Sequence, residues 1–257
     1  MKVFIPFRDR GLDPRRGANL DVVQAWWYAH GFEPVIVNDG MAGAAQFNRH
    51  RAYNRAVSGN PDVDVFVFTE ADMLIHPDQI AQAVEKAVEK PGLVVPFTQY
   101  RYLSDEMTEY VRDMYYDSTV ADLTDWWSRP VVAEGVFALA AESVMDDGKS
   151  IGAVNVVSRE TLEITGGFTE ATSGNWYDDN IVEEGFAYLT GQPTRWVDGP
   201  AVHLYHLPGW TGDHLTAEDK RATANNKALL DQMRRDIRRG AREQVRGLLA
   251  HRRGSGL

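Results

Sequence analysis

Residues 66–77, FVFTEADMLIHP, open as a buried strand and close on two acids and a histidine. With Val63, Asp64 and Val65 before them they make a nearly continuous apolar run over 63–69. Such a run suits a strand covered on both faces, as in a parallel sheet. A turn after such a strand needs only one small polar residue. Glu70 and Asp72, separated by one residue and preceded by Thr69, ask for a stronger reason. If the backbone stays extended there, both carboxylates point the same way.

Outward from this stretch, strands and helices alternate. KVFIPF (2–7) predicts a first strand, followed by the polar loop RDRGLDPRRGAN and a helix capped by Asn19 or Asp21. EPVIVNDG (33–40) predicts a second strand, and AAQFNRHRAYNRAVSG a second helix. His76-Pro77 starts a third helix, and GLVVPF (92–97) is a fourth strand. Four strand–helix alternations joined by short connections predict βαβ units and an α/β fold with a mostly parallel central sheet flanked by helices. Residues 104–127 are polar, acidic and aromatic, and are expected to be partly helical over the sheet edge. Residues 151–170 predict a strand, a short helix and a Gly-Gly stop, leading into a flexible loop. A helix over DDNIVEEGFAYLTG and one or two strands over PTRWVDGPAVHLYH follow, and a basic helical tail runs from Thr216 to a disordered GSGL end.

The composition narrows the chemistry. The absence of cysteine excludes disulfides, thiol nucleophiles and cysteine-based zinc sites. The N-terminal apolar run is too short for a signal peptide, and no segment has the length of a membrane span, so a soluble cytoplasmic protein is expected. From Glu218 onward 11 Lys/Arg stand against 5 Asp/Glu, a net +6. With −10 overall, this leaves −16 on the first 217 residues. An acidic body disfavours a polyanionic partner unless its acids hold a metal that carries a phosphate. The basic tail reads as a solvated amphipathic helix, with a polyanion, a membrane surface or a second subunit as alternative contacts.

Ligands of open α/β sheets bind outside the carboxyl ends of the strands. Arg8, Asp9 and Arg10 follow the first strand, Asn38 and Asp39 the second, Glu70 and Asp72 the third. No glycine-rich dinucleotide fingerprint or P-loop is present, so a nucleotide here needs its phosphates neutralised by a metal on carboxylates. NWYDDNIVEEG (175–185) adds Asp178 and Asp179 at a helix start beside Trp176 and Tyr177. One acid serves as a cap; two beside aromatic rings suggest a general base and a sugar platform. HLYH (203–206) offers a nitrogen donor. Within one strand His203 and His206 face opposite sides, so at most one enters the site unless the strand ends between them.

In this order the motifs FIPFRDR, FNRHRAYNRAV, FTEADMLIHP, GGFTEATSGNWYDDN and HLYH resemble those of a GT-A fold glycosyltransferase, of family 2 and its galactosyltransferase-like relatives. The resemblance spans residues 2 to 210. It implies a GT-A, Rossmann-like domain over 1–215, with a nucleotide-sugar half (about 1–100) and an acceptor half (101–215), and a basic helical tail over 216–257. It implies an inverting, metal-dependent hexosyl transfer from a nucleotide sugar, a UDP-sugar favoured, with manganese or magnesium on the diphosphate. Asp72 stands at the DxD-like metal acid and Glu70 at the ribose acid. Asp39 takes the place of the base contact, and Pro6, Arg8, Arg10, Arg49, Asn54 and Ala71 line the donor. Asp179 stands at the general base, with Asp178 beside it on sugar hydroxyls. Trp176, Tyr177 and Asn155 are acceptor-side, and His203 or His206 completes the metal. Glu at 70, where the pattern has Asp, lengthens the reach by one methylene, and Asn175-Trp176 replaces a Trp-Gly. The acceptor is a glycan, a protein or modified DNA. A nucleotidyltransferase is the alternative, although RDRGLDPRRG matches its phosphate loop only loosely; a decayed carbohydrate-binding protein is the other.

Overall fold

Val65–Thr69 (β3) is buried at every position and lies inside a six-stranded sheet. The computed structural model describes residues 1–43, 45–117, 141–146, 151–174, 176–207, 209 and 212–252. Of the sequence expectations, residues 118–127 with Trp126 and Trp127, the Asn175 substitution and the GSGL end lie outside the described residues.

The sheet runs β2–β1–β3–β8–β5–β9, with β1 at Lys2–Pro6, β2 at Val35–Val37, β5 at Val94–Val95, β8 at Val154–Ser158 and β9 at Arg195–Trp196. β1 pairs in parallel with β2 and β3, and β5 with β9. The parallel sequence is interrupted by β8, which inserts antiparallel between β3 and β5, with Phe68 opposite Asn155. A second sheet runs β4–β10–β6–β7, from Met73–Ile75 (β4), Pro200–His203 (β10), Gln99–Leu103 (β6) and Ala141–Asp146 (β7). β4, β6 and β7 were not expected. Directly after Asp72 the chain begins pairing again, with Met73 opposite His203.

Helix α1 (Arg15–Ala29) starts earlier than Asn19 or Asp21, with Pro14 at its N-cap. Asn19 is buried inside the helix, where its amide donates to the Tyr205 carbonyl and accepts from Arg112. α2 (Arg49–Ser58) starts later than expected because the Asn48 side chain caps it on the Arg51 amide. α3 (Pro77–Glu89) begins as expected: the His76 ring accepts from the Asp78 amide, and Ile80, Ala83 and Ala87 form its buried face. α4 spans Asp105–Asp117, α5 Arg159–Thr165 and α6 Asp178–Thr190.

Residues 216–252 form two helices, α7 (Ala217–Arg238) and α8 (Arg242–Leu249), parted at Gly240 in a left-handed turn. Leu230, Met233, Val245 and Leu249 are buried in the main core. Gly185 of α6 allows this docking: a Cβ there would lie 2.9 Å from Leu249 Cδ1 and 3.2 Å from Met233 Sδ. Arg235, Arg238 and Arg239 face solvent. Among the described residues no helix is long and apolar enough to cross a membrane.

An aromatic stack ties β1 and β3 to α2 and α6. Tyr53 lies flat on Phe68 at 4.1 Å, Phe168 meets both edge-on, and Phe186 backs Phe168. Such pairs add to area burial. They hold the start of α2 over the carboxyl end of β3.

Candidate functional site

At the end of β3 the backbone turns instead of staying extended. The Met73 amide reaches the Glu70 carbonyl across Ala71 and Asp72. The two acids therefore serve different neighbours. Asp72 is buried beside β10, and its carbonyl accepts from the Leu204 amide at 2.8 Å. β10 ends at His203, so the chain is free to turn His206 inward as well, and both histidines enter the site. His206 Nε2 lies 3.1 Å and His203 Nε2 3.8 Å from the Asp72 carboxylate. One ligand atom from each of the three residues falls within 4.8 Å of the others.

This trio fits a cation on its own chemistry. The Leu207 carbonyl, which can only accept, lies 2.7 Å from His206 Nδ1 and so fixes the proton there. His206 Nε2 is thereby left facing the Asp72 carboxylate, the ring nitrogen through which an imidazole binds a metal. Asp72 Oδ1 and His203 Nδ1 are buried without a hydrogen-bond partner. Burial pushes His203 down to about 4 against the attraction of Asp72, so its ring is neutral at pH 7. Burial alone would raise Asp72, but His203, His206 and Arg16 outweigh it and hold the acid ionised well below the usual carboxylate range. A carboxylate with two imidazole nitrogens suits Mn²⁺, and suits Mg²⁺ less well.

Glu70 turns the other way. Arg49, the first residue of α2, reaches Glu70 through Nη1 and both Asp178 (2.6 Å) and Asp179 through Nη2. Arg49 Nη1 also donates to the Gly152 carbonyl at 3.1 Å. Three carboxylates around one guanidinium leave an excess of negative charge. Burial opposes the ionisation of Asp178, yet Arg49 outweighs it and holds that acid low. Asp179 goes the other way: burial, with Asp178 and Glu70 nearby, pushes it up to about 8 against the pull of Arg49. Burial also raises Glu70 despite Arg49.

The entry to α6 is unusual. Trp176 and Tyr177 both have positive φ, 74° and 65°, and Tyr177 is an N-cap without a side-chain bond. Non-glycine residues seldom adopt this conformation. It leaves Trp176 half exposed beside the acid pair, its ring 6.2 Å from that of Tyr177. The preceding loop, expected to be flexible, is pinned by α2. Asn48 donates to the carbonyls of Glu170 and Thr172, and Asn54 to that of Phe168.

Several expected donor or acceptor residues are taken up by the fold. Asn54 spends its amide on Phe168 and on the Glu170 carboxylate, away from the acids. Asp39 is fully buried and accepts from Arg8 Nε at 2.8 Å and the Asn48 amide at 2.9 Å, so it fixes Arg8 instead of offering a free oxygen to a base. Asn155 is buried on β8 and donates to the carbonyls of Ile151 and Gly152, holding the turn beneath Asp179. Arg10 lies 3.7 Å from Asp219 of α7. Pro6 ends β1, and Ala71 is buried between the two acids.

Three further residues matter. Gly152 faces Asp179 so closely that a Cβ there would overlap the carboxyl group. Arg16, in the first turn of α1, lies 3.8 Å from Asp72. Tyr102 on β6 packs its ring 4.9 Å from that of His203.

No family model and no curated protein matches the sequence. Among solved structures, the chain resembles a mutant of Drosophila β1,4-galactosyltransferase 7 in complex with manganese, UDP-Gal and xylobiose. Identity is 13%, the TM-score 0.51, and the match covers 86% of this chain and 78% of that one. The catalytic domain of the same Drosophila enzyme with xylobiose matches at 15% identity and TM-score 0.48, covering 87% and 79%. Glucosyl-3-phosphoglycerate synthase from Mycobacterium tuberculosis, with Mn²⁺, UDP-glucose and phosphoglyceric acid, matches at 15% identity and TM-score 0.47, covering 90% and 79%. The fold is that of the GT-A glycosyltransferases.

Proposed function

We propose that the protein is a glycosyltransferase, moving a sugar from a UDP-sugar to an acceptor hydroxyl with inversion at the anomeric carbon. The observation that carries this reading is the adjacency of two acidic centres with opposite proton affinities. One is Asp72 with His203 and His206; the other is Asp179 beside Arg49. The structural relative with manganese and UDP-Gal supports the donor class.

Asp72, His203 and His206 would hold the divalent cation, which when bound neutralises the diphosphate of the departing nucleotide. Arg49 orients the acids: it binds Glu70 on the donor side and Asp178 and Asp179 on the acceptor side. Asp179, with its raised proton affinity, takes the proton from the attacking hydroxyl as the new bond to the anomeric carbon forms. Gly152 leaves room for its carboxyl group. The half-exposed Trp176 offers an apolar face against which an acceptor sugar packs.

A thermal-shift panel of UDP- and GDP-sugars, with and without Mn²⁺, tests the reading. A UDP-sugar that raises the melting temperature only with the metal supports it. Stabilisation by nucleotide sugars independent of metal, or none at all, contradicts it.

A further inference from the structure

Most arginines near the site are committed to the fold. Arg8 is bound to Asp39 and to the Ala45 carbonyl. Arg15 pairs with Asp105 and lies over the Tyr205 ring, and Arg49 holds its three acids. Arg16 differs. Its guanidinium makes no hydrogen bond among the described residues, its side chain is 42% exposed, and its ion pair is with Asp72 at 3.8 Å. That is beyond hydrogen-bond length, and the Arg16 end of the pair is open to solvent although Asp72 is buried. Arg16 therefore faces the proposed metal carboxylate with its donors unspent.

The consequence is electrostatic. Asp72 and Arg16 together are neutral. A divalent cation on Asp72 turns that attraction into repulsion, so the cation and Arg16 compete for this acid. The anion that the cation then carries restores a negative partner beside Arg16. A guanidinium suits this exchange, because its planar fork matches phosphate oxygens bidentately and it stays charged.

We infer that Arg16 is the protein cation that binds the diphosphate of the nucleotide, passing from Asp72 to phosphate oxygens when the metal loads. The inference rests on the metal-nucleotide reading above. It assigns to the first turn of α1 a share of leaving-group neutralisation in addition to the metal.

Calorimetric titration of the full chain tests this, with Mn²⁺ alone and then with UDP at saturating Mn²⁺. In Arg16→Ala, Mn²⁺ binds roughly threefold tighter because its competitor is gone. UDP binds about tenfold weaker because a charge-assisted contact is lost. Arg16→Lys, which keeps the charge without the fork, recovers part of the UDP affinity. Opposite signs for metal and nucleotide are not expected of a residue that merely supports the fold. UDP affinity within about twofold of the unaltered protein, with Mn²⁺ binding in place, overturns the role of Arg16 alone. Loss of Mn²⁺ and UDP affinity together, with a lowered melting temperature, also overturns it, since that marks a structural residue. Failure of the unaltered protein to bind UDP with Mn²⁺ overturns both this inference and the reading beneath it.

Discussion

The two acidic centres begin from the same strand end and behave in opposite ways. Around Asp72, one carboxylate meets two imidazoles and a guanidinium, and the acid is held ionised. Around Arg49, three carboxylates share one guanidinium, and Asp179 keeps its proton to about pH 8. Burial penalises ionisation in both places; the ratio of acids to cations decides which effect wins. Two acids whose surroundings push their proton affinities apart are suited to two jobs, one as cation ligand and one as proton acceptor.

Removing either acid should therefore fail differently. Asp179→Asn should lower the transfer rate by about a thousandfold while UDP and Mn²⁺ binding hold, as read by turnover and calorimetry. Asp72→Asn should do the reverse at the binding level. Loss of an outer-sphere partner alone costs about 10–100-fold in metal affinity, and Asp72 would be a direct ligand, so Mn²⁺ affinity should fall further than that. If the two variants lost the same property, the division of labour would be wrong.

Gly152→Ala sharpens the comparison by touching only one centre. The added methyl displaces the Asp179 carboxyl group and should lower kcat by about 10–100-fold with Mn²⁺ affinity unchanged.

The smallest effect is on pH dependence. Asp179 accepts a proton only when ionised, so transfer should rise with pH toward about 8 and level off above it. Because ionised Glu70 helps to keep the proton on Asp179, Glu70→Gln should move the rise to lower pH. A profile unmoved by that change would separate Glu70 from the base.

Much of this was legible in the chain. The apolar run before Glu70 places β3, and the acids at 70, 72, 178 and 179 are visible as strand-end and helix-start clusters. The end of β10 at His203 was open in the sequence, since HLYH does not show where pairing stops. Other features depended on distant neighbours. The antiparallel insertion of β8 lies in its pairing with β3, which sets Phe68 opposite Asn155, and nothing local to 154–158 records that. β4 is three residues long, and its pairing lies with residues 201–203. Arg49 stands among other arginines in FNRHRAYNRAV, and its part as the shared cation appears only once α2 docks on β3 through Tyr53. Gly152 sits in the turn before β8, and its tighter constraint, the close approach of Asp179 27 positions away, has no local signature.

The central claim is that Asp72, His203 and His206 form a cation site carrying the nucleotide. Crystals of the protein soaked with Mn²⁺ and UDP test it most directly through the anomalous signal of manganese. The account predicts a peak bounded by the Asp72 carboxylate and the two imidazoles, with the diphosphate of UDP completing the shell. UDP bound elsewhere, or bound here with no manganese peak among these three residues, would contradict it.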